Sequence, residues 1–301
     1  MIITRLWGGL GNQMFQYAAG RALALRNAVP LQVDIYDLVD RTPREDFVHR
    51  DCDLGLLMAP LDFASLADLG RASEKPNRLR TRLRLRYRKE CLAKSTFLEK
   101  DQQFSPDLLK SRRKNAYLVG YWHDERYFHD FEGHVRRDFA IRGSYQSEFQ
   151  SRILDSNSVC LNVRRADFVS IKSERESRVQ CGKNYYREAL EKLIGLEKGV
   201  TVFGFSDDIE WCEENLKLQV PITWVPHSEA GFKFGCYFWL MRQCRHFIIP
   251  NSTFAWWAAW LAEHPEKRVI CPREWYCNRY QMSEGFLPDC WIKVDVDESR
   301  C

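Results

Sequence analysis

MIITRLWGGLGNQMFQYAAGRALALRNAVPLQVDIYD, Met1–Asp37, reads as strand, glycine turn, helix and strand: Ile2–Trp7, Gly8–Gly11, Met14–Arg26 and Leu31–Ile35. A strand that passes through a tight turn into a helix and returns to a strand is a βαβ opening. It implies a parallel sheet with helices on its faces. Three glycines at the end of a first strand also leave a backbone that a ligand can approach without meeting a Cβ.

The alternation resumes in the second half. Val159–Val163 (VCLNV) reads as a buried strand, Tyr185–Leu196 as a helix, Val200–Ser206 as a strand and Ile209–Leu216 as a helix. His246–Pro250 is a further strand, Phe254–Ala262 a helix and Arg268–Pro272 the last strand. Tyr117–Tyr121 closes the first half, and the polar run SEFQSRILDSNS near residue 150 marks a boundary. The expected architecture is α/β: two parallel-sheet halves, 1–150 and 151–301, facing across a cleft. Ligands of such sheets bind beyond the carboxyl ends of the strands.

A chain of 301 residues, 45% hydrophobic with net charge +4, has the composition of a soluble globular protein. That charge is too mild to imply a nucleic-acid partner. Eleven cysteines occur with no Cys-x-x-Cys pair, and Cys160, Cys236, Cys244 and Cys271 sit in apolar runs. They read as thiols of a reducing compartment, with neither a disulfide framework nor a zinc site. The opening residues lack a signal-peptide core and no apolar run approaches membrane-spanning length. A cytoplasmic protein is expected. RLRTRLRLRYRKE carries arginine at every second position from Arg78 to Arg88. It is read first as a solvated face and second as a basic surface for anionic lipid, in peripheral contact with the inner membrane surface, or for a polyanionic glycan.

Three strand ends carry the chemistry. NVRRADF (Asn162–Phe168) ends a buried strand on consecutive arginines, which is costly unless anions meet them. Alternation sends Arg164 and Arg165 to opposite sides, so one can face a diphosphate while the other pairs internally, most simply with Asp167. FGFSDDIEWCEENL (Phe203–Leu216) places Asp207 and Asp208 at a helix start, where Ser206 or Asp207 is the natural N-cap and a second carboxylate can meet a ribose or a guanine edge. PNSTFAWWAAW (Pro250–Trp260) puts Asn251, Ser252 and Thr253 at a strand-to-helix turn suited to phosphate. Its tryptophans read as helix–sheet packing.

These segments, with GGLGNQMFQYAAGRALA and YLVGYWHDERYF (Tyr117–Phe128), resemble the α-1,2-fucosyltransferases of bacterial polysaccharide synthesis and the animal blood-group H type. The resemblance runs from residue 1 to about 276. It implies a GT-B-like fold of two Rossmann-like domains, GDP-fucose as donor, and metal-independent, inverting transfer to the 2-hydroxyl of a terminal galactose on a glycan acceptor. By position it implies that Arg164 meets the donor's β-phosphate and is catalytic, with Arg165 and Asp167 in support. It further implies that Asp207 and Asp208 meet the guanosine, and that Ser252, Thr253 and Phe254 meet the diphosphate and fucose. Gly9, Gly11, Asn12 and Gln13 match the family's donor-facing loop. The chain departs from the family pattern at Asn162, where histidine is usual, at Ala166, where glycine is usual, and at Gln180-Cys181-Gly182, where His-Gly is frequent. Asn162 is expected to brace Arg164 rather than to titrate.

No cofactor or metal is expected. The D-x-D pairs Asp51/Asp53 and Asp295/Asp297 lie away from the cradle and read as structural. A general base is not identifiable from spacing, with His123, Asp124 and Glu125 the nearest candidates. Competing readings are a fucosyltransferase of another linkage, a non-catalytic sugar-nucleotide or glycan binder, and a dinucleotide oxidoreductase. The last is weakened by Met14, which stands where the third glycine of G-x-G-x-x-G belongs.

Overall fold

The computed structural model describes residues 1–43, 48–65, 67–69, 96–165, 177–277 and 282–296. Among these the chain divides into two compact units. One is drawn from Met1–Thr42, His49–Ala140 and Ser283–Phe286, the other from Pro43–Val48, Ile141–Met282 and Leu287–Cys301. Each is built on its own parallel sheet, as the βα alternation predicts.

The first unit contains β1 (Ile2–Arg5), α1 (Leu10–Arg26), β2 (Leu31–Asp34), β3 (Thr96–Leu98) and β4 (Ala116–Val119), in sheet order β2-β1-β4-β3. α1 begins earlier than the sequence suggests, because Gly9 takes extended backbone as its N-cap and leaves Gly11 inside the helix. Thirteen residues of α1 are buried, which is why its small-residue spacing reads as helix without a clear polar face. Gly20 lets α1 lie close on β1, since a Cβ there would stand 2.9 Å from that of Thr4.

The segment Ser283–Phe286 completes this unit. Asp124, 1% exposed, receives Arg126 through Nε at 2.8 Å and Nη2 at 2.6 Å, and also receives the Ser283 hydroxyl. Gly285 lies against that pair, where a Cβ would be 2.5 Å from Arg126 Nε. The Phe286 ring then stacks on His123 at 5.3 Å and meets Phe15 at 5.9 Å.

The second unit contains α2 (Glu148–Leu154), β5 (Asn157–Val163), α3 (Lys183–Leu196), β6 (Val200–Ser206), α4 (Ile209–Asn215) and β7 (Ile222–Trp224). It continues with α5 (Gly235–Met241), β8 (His246–Ile248), α6 (Thr253–Leu261), β9 (Val269–Pro272) and β10 (Ile292–Val294). The order is β10-β9-β8-β5-β6-β7. The chain moves outward from β5 through β6 to β7, then crosses to β8 on the other side and moves outward again. The switch point therefore lies between β5 and β8, and their carboxyl ends define the expected ligand crevice. β10 follows β9, so Val269–Pro272 is not the last strand; Ile292–Val294 pairs beside it.

Leu161, Val163, Tyr186, Leu190, Val202, Ile248 and Ile270 fill the core between this sheet and α3. Trp256, Trp257 and Trp260 are buried, with Trp256 and Trp260 stacked at 6.1 Å, in accord with helix packing. Eight described cysteines are free thiols, and burial pushes Cys271 up to about 12. Cys277, against the all-thiol expectation, is disulfide-bonded. No helix among the described residues is long and apolar enough to cross a membrane. The arginine run 78–88 lies outside the described residues.

Candidate functional site

Parallel register aligns Val163 of β5 with Ser206 of β6, so the residues that follow each strand meet. Arg164 Nη1 lies 2.6 Å from Asp207 Oδ2, with the two side chains 28% and 8% exposed. The Arg165 N–H donates to Asp207 Oδ1 at 2.9 Å, and its Nε donates to Asp208 Oδ2 at 3.0 Å. Its guanidinium also lies 3.6 Å over the Trp211 ring. Asp208, rather than the expected Ser206 or Asp207, caps α4 by accepting the Trp211 N–H at 3.2 Å, because it directly precedes the first helical residue, Ile209. Both arginines thus pair with the acidic pair of the next strand. Asp167, the partner expected from the sequence, lies outside the described residues. Asn162, 9% exposed, donates to the Phe205 carbonyl at 3.0 Å and ties β5 to β6 directly below Arg164. Charge-assisted bonds of this kind fix a guanidinium fork in one orientation.

Next to this pair is a pocket of about 460 Å³, lined by Asp207, Asp208, Ile209, Glu210, Glu213, Trp224, Pro226 and His227. Gly204 shapes it, because a Cβ there would stand 2.2 Å from the Trp224 ring, so only glycine lets the indole lie flat on β6. His227 Nε2 reaches the Ser206 carbonyl at 3.0 Å and secures the far wall.

Across the switch point, Ser252 is the N-cap of α6 and makes no side-chain capping bond. Thr253 and Phe254 follow, half-buried, with Phe254 against Phe238 at 5.0 Å. The turn is held from beneath by Asn251, 1% exposed, whose amide donates to Val179 O at 2.8 Å and Trp275 O at 2.9 Å. Helix amides at such a mouth favour anions.

In the first unit, Gly8 takes φ 77°, the left-handed turn that glycine permits, while a Cβ on Gly9 would meet no protein atom. Asn12 lies beneath Gly8. Gly11 and Gln13 are interior. Gln13 is fully buried and braces the loop by donating to the Gly8 and Asp51 carbonyls at 2.8 Å and accepting from Asp53 N at 2.9 Å. Asp51 pairs with Arg41 and Asp295 with Arg273, while Asp297 lies outside the described residues.

One carboxylate escaped the sequence reading. Glu99, just past β3, accepts the backbone N–H of Tyr121 at 2.6 Å and of Trp122 at 2.9 Å. Burial pushes it up to about 7, against the pull of those two donors and with added repulsion from Asp124. Its folded pKa exceeds the unfolded one near 4.5, so the fold holds the extra proton. The stability it contributes is complete below that value and is lost as pH rises through about 7. Glu99→Gln should flatten the stability–pH curve between these limits by up to about 3 kcal/mol, read from urea unfolding at pH 5 and pH 7.5.

Comparison with known proteins places these features in context. The sequence profile described as glycosyl transferase family 11 matches residues 99–294. An α-1,2-colitosyltransferase of Escherichia coli is 27% identical over 98% of this chain and 99% of its own. Human galactoside α-(1,2)-fucosyltransferase 1 is 25% identical over 58% of this chain and 51% of its own. Among solved structures, the NodZ α-1,6-fucosyltransferase soaked with GDP-fucose aligns with TM-score 0.47 at 21% identity, over 90% of this chain and 94% of that one.

Proposed function

The chain belongs to glycosyl transferase family 11, and from that premise we propose that it moves L-fucose from GDP-fucose to the 2-hydroxyl of a terminal galactoside, with inversion, in the cytoplasm. The observation that carries this is the Arg164–Asp207 pair at the carboxyl ends of β5 and β6, with the amino-terminal end of α6 across the β5/β8 switch point. A guanidinium held in place before substrate arrives suits a reaction whose main demand is a departing diphosphate.

In that reaction the galactose oxygen forms a bond to the anomeric carbon and loses its proton to water. The bond from that carbon to the β-phosphate oxygen breaks, and the electron pair leaves with GDP. Arg164 and the first-turn amides of α6, at Thr253 and Phe254, take up the new charge. Arg165, Asp207 and Asp208 hold the fork. This assigns the leaving-group charge to protein donors and gives a metal no role.

The acidic pocket beside Arg164 suits the guanine edge, whose N1–H and 2-amino group are donors and need acceptors. IDP lacks the 2-amino group and would leave a carboxylate without its partner. It should bind roughly 10- to 100-fold more weakly than GDP by calorimetry, and equal affinities would remove guanine from this pocket.

A second donor is favoured by one finding: the colitosyltransferase matches along nearly the whole chain. Colitose is fucose without its 3-hydroxyl, so the same diphosphate machinery would serve it. Radiolabelled GDP-fucose and GDP-colitose should be offered with a panel of β-galactosides, and the product linkage read by NMR. An α-1,2-fucosyl product supports the proposal. Transfer of colitose alone, another linkage, or release of sugar only to water would each overturn it.

A further inference from the structure

The carboxyl ends of the first unit's strands carry a rigid aromatic corner that the donor reading leaves without a role. Trp7, two residues past β1, and Tyr121, two past β4, are half-buried, and their rings meet at 5.1 Å and 56°. Arg5 lies 5.3 Å from the Trp7 ring centre. Tyr121 stacks in turn on His123 at 5.0 Å.

The backbone beneath this corner is fixed unusually well. Gln16, fully buried, takes the Trp7 N–H on Oε1 at 3.0 Å and returns Nε2 to the Trp7 carbonyl at 3.3 Å. Glu99 grips the N–H groups of Tyr121 and Trp122, and Trp122 sits in the left-handed region at φ 58°, rare for a bulky residue. Gly120 admits that grip, because a Cβ would stand 2.4 Å from the Glu99 Cβ. Strain of this kind persists only where the surroundings impose it, and it gathers at ligand sites. The place also fits, at the carboxyl ends of a parallel sheet.

Two aromatic rings set at an angle, with a guanidinium over one of them, match the chemistry of a pyranose ring. Its axial C–H bonds form an apolar face that stacks on aromatic rings, while its hydroxyls need polar partners at the rim. We propose that Trp7 and Tyr121 form the shelf that binds the acceptor's terminal β-galactoside, with Gln16 and Glu99 as positioning residues that hold the two rings in register. This rests on the transferase reading above and adds to it the place of the acceptor sugar.

The test is binding, not turnover. Saturation-transfer NMR with methyl β-D-galactopyranoside should give signals strongest at the ring protons of the apolar face. Trp7→Ala should weaken binding about tenfold or more, and Trp7→Phe, which keeps a ring against Arg5, by less. Calorimetry with GDP on the same proteins should change less than threefold. Loss of GDP affinity in the wild type would sink the transferase reading, whereas normal GDP binding with no galactoside signal would sink the shelf alone. Unchanged galactoside binding in both Trp7→Ala and Tyr121→Ala overturns it as well. Should Trp7→Ala lower the Tm sharply, Trp7→Phe and Tyr121→Ala decide the matter.

Discussion

Replacing Arg164 with alanine is expected to lower kcat by about 10³- to 10⁴-fold while leaving the fold intact. An arginine that meets a transferring diphosphate is worth that much in related chemistry, because its charge acts where new charge develops. The fold should survive, since the side chain is partly exposed and its removal leaves Asp207 with the Arg165 N–H. GDP affinity should fall more modestly, by roughly tenfold, as one charge-assisted contact is lost. Arg164→Lys is not a rescue: an ammonium lacks the planar fork that can hold Asp207 and a diphosphate together. Steady-state kinetics with GDP-fucose and a galactoside provide the measurement. An Arg164→Ala enzyme that keeps most of its kcat would remove the central assignment, whatever its KM.

The second large effect is on stability. Asn251→Ala should cost about 2–4 kcal/mol and lower the Tm of the second unit by roughly 5–15 °C. The side chain is 1% exposed, and its amide is the donor for two carbonyls from distant parts of the chain, Val179 and Trp275. Truncation removes that donor from both; Trp275 O keeps the Val179 N–H, but Val179 O loses its amide partner, and a buried carbonyl without its donor is costly. Asn251→Asp makes a sharper control. It keeps the shape but turns a negative oxygen toward two carbonyl oxygens, so it should be no more stable than alanine. Because Ser252 follows directly, the donor KM should rise in both variants. A Tm within 2 °C of wild type would show that the clamp is dispensable.

The parts of the molecule legible in the sequence were those with long local signals. β5 and β6 are buried on both faces and read as continuous apolar runs, and α1 and α3 are long enough to show their period. β3, β7 and β10 have three residues each, too few to show alternation, and α5 is apolar on every side, GCYFWLM. The three strand ends of the site could be named, but their pairing could not. Whether Arg164 meets Asp207 depends on the register of β5 against β6, and no local pattern encodes that number. Gln13, matched by resemblance to a donor-facing loop, and Gln16, which drew no reading, were hard to place for the opposite reason. They look like the polar face of a helix, yet both are buried to satisfy a glycine turn and a strand end. Glu99 was invisible because its partners are backbone amides more than twenty positions away.

The return of Ser283–Phe286 to the first unit has a consequence for how the protein is made. A nascent chain leaving the ribosome presents β1 to β4 early, yet Phe286 and Ser283, which cover Phe15 and His123 and anchor Asp124, emerge roughly 150 residues later. At ordinary synthesis rates that is on the order of 10–30 s during which the amino-terminal half waits with an aromatic face uncovered. Completion of the unit that holds β1 to β4 therefore depends on a stretch translated long after them, and a chaperone that shields that face in the interval would be matched to this need.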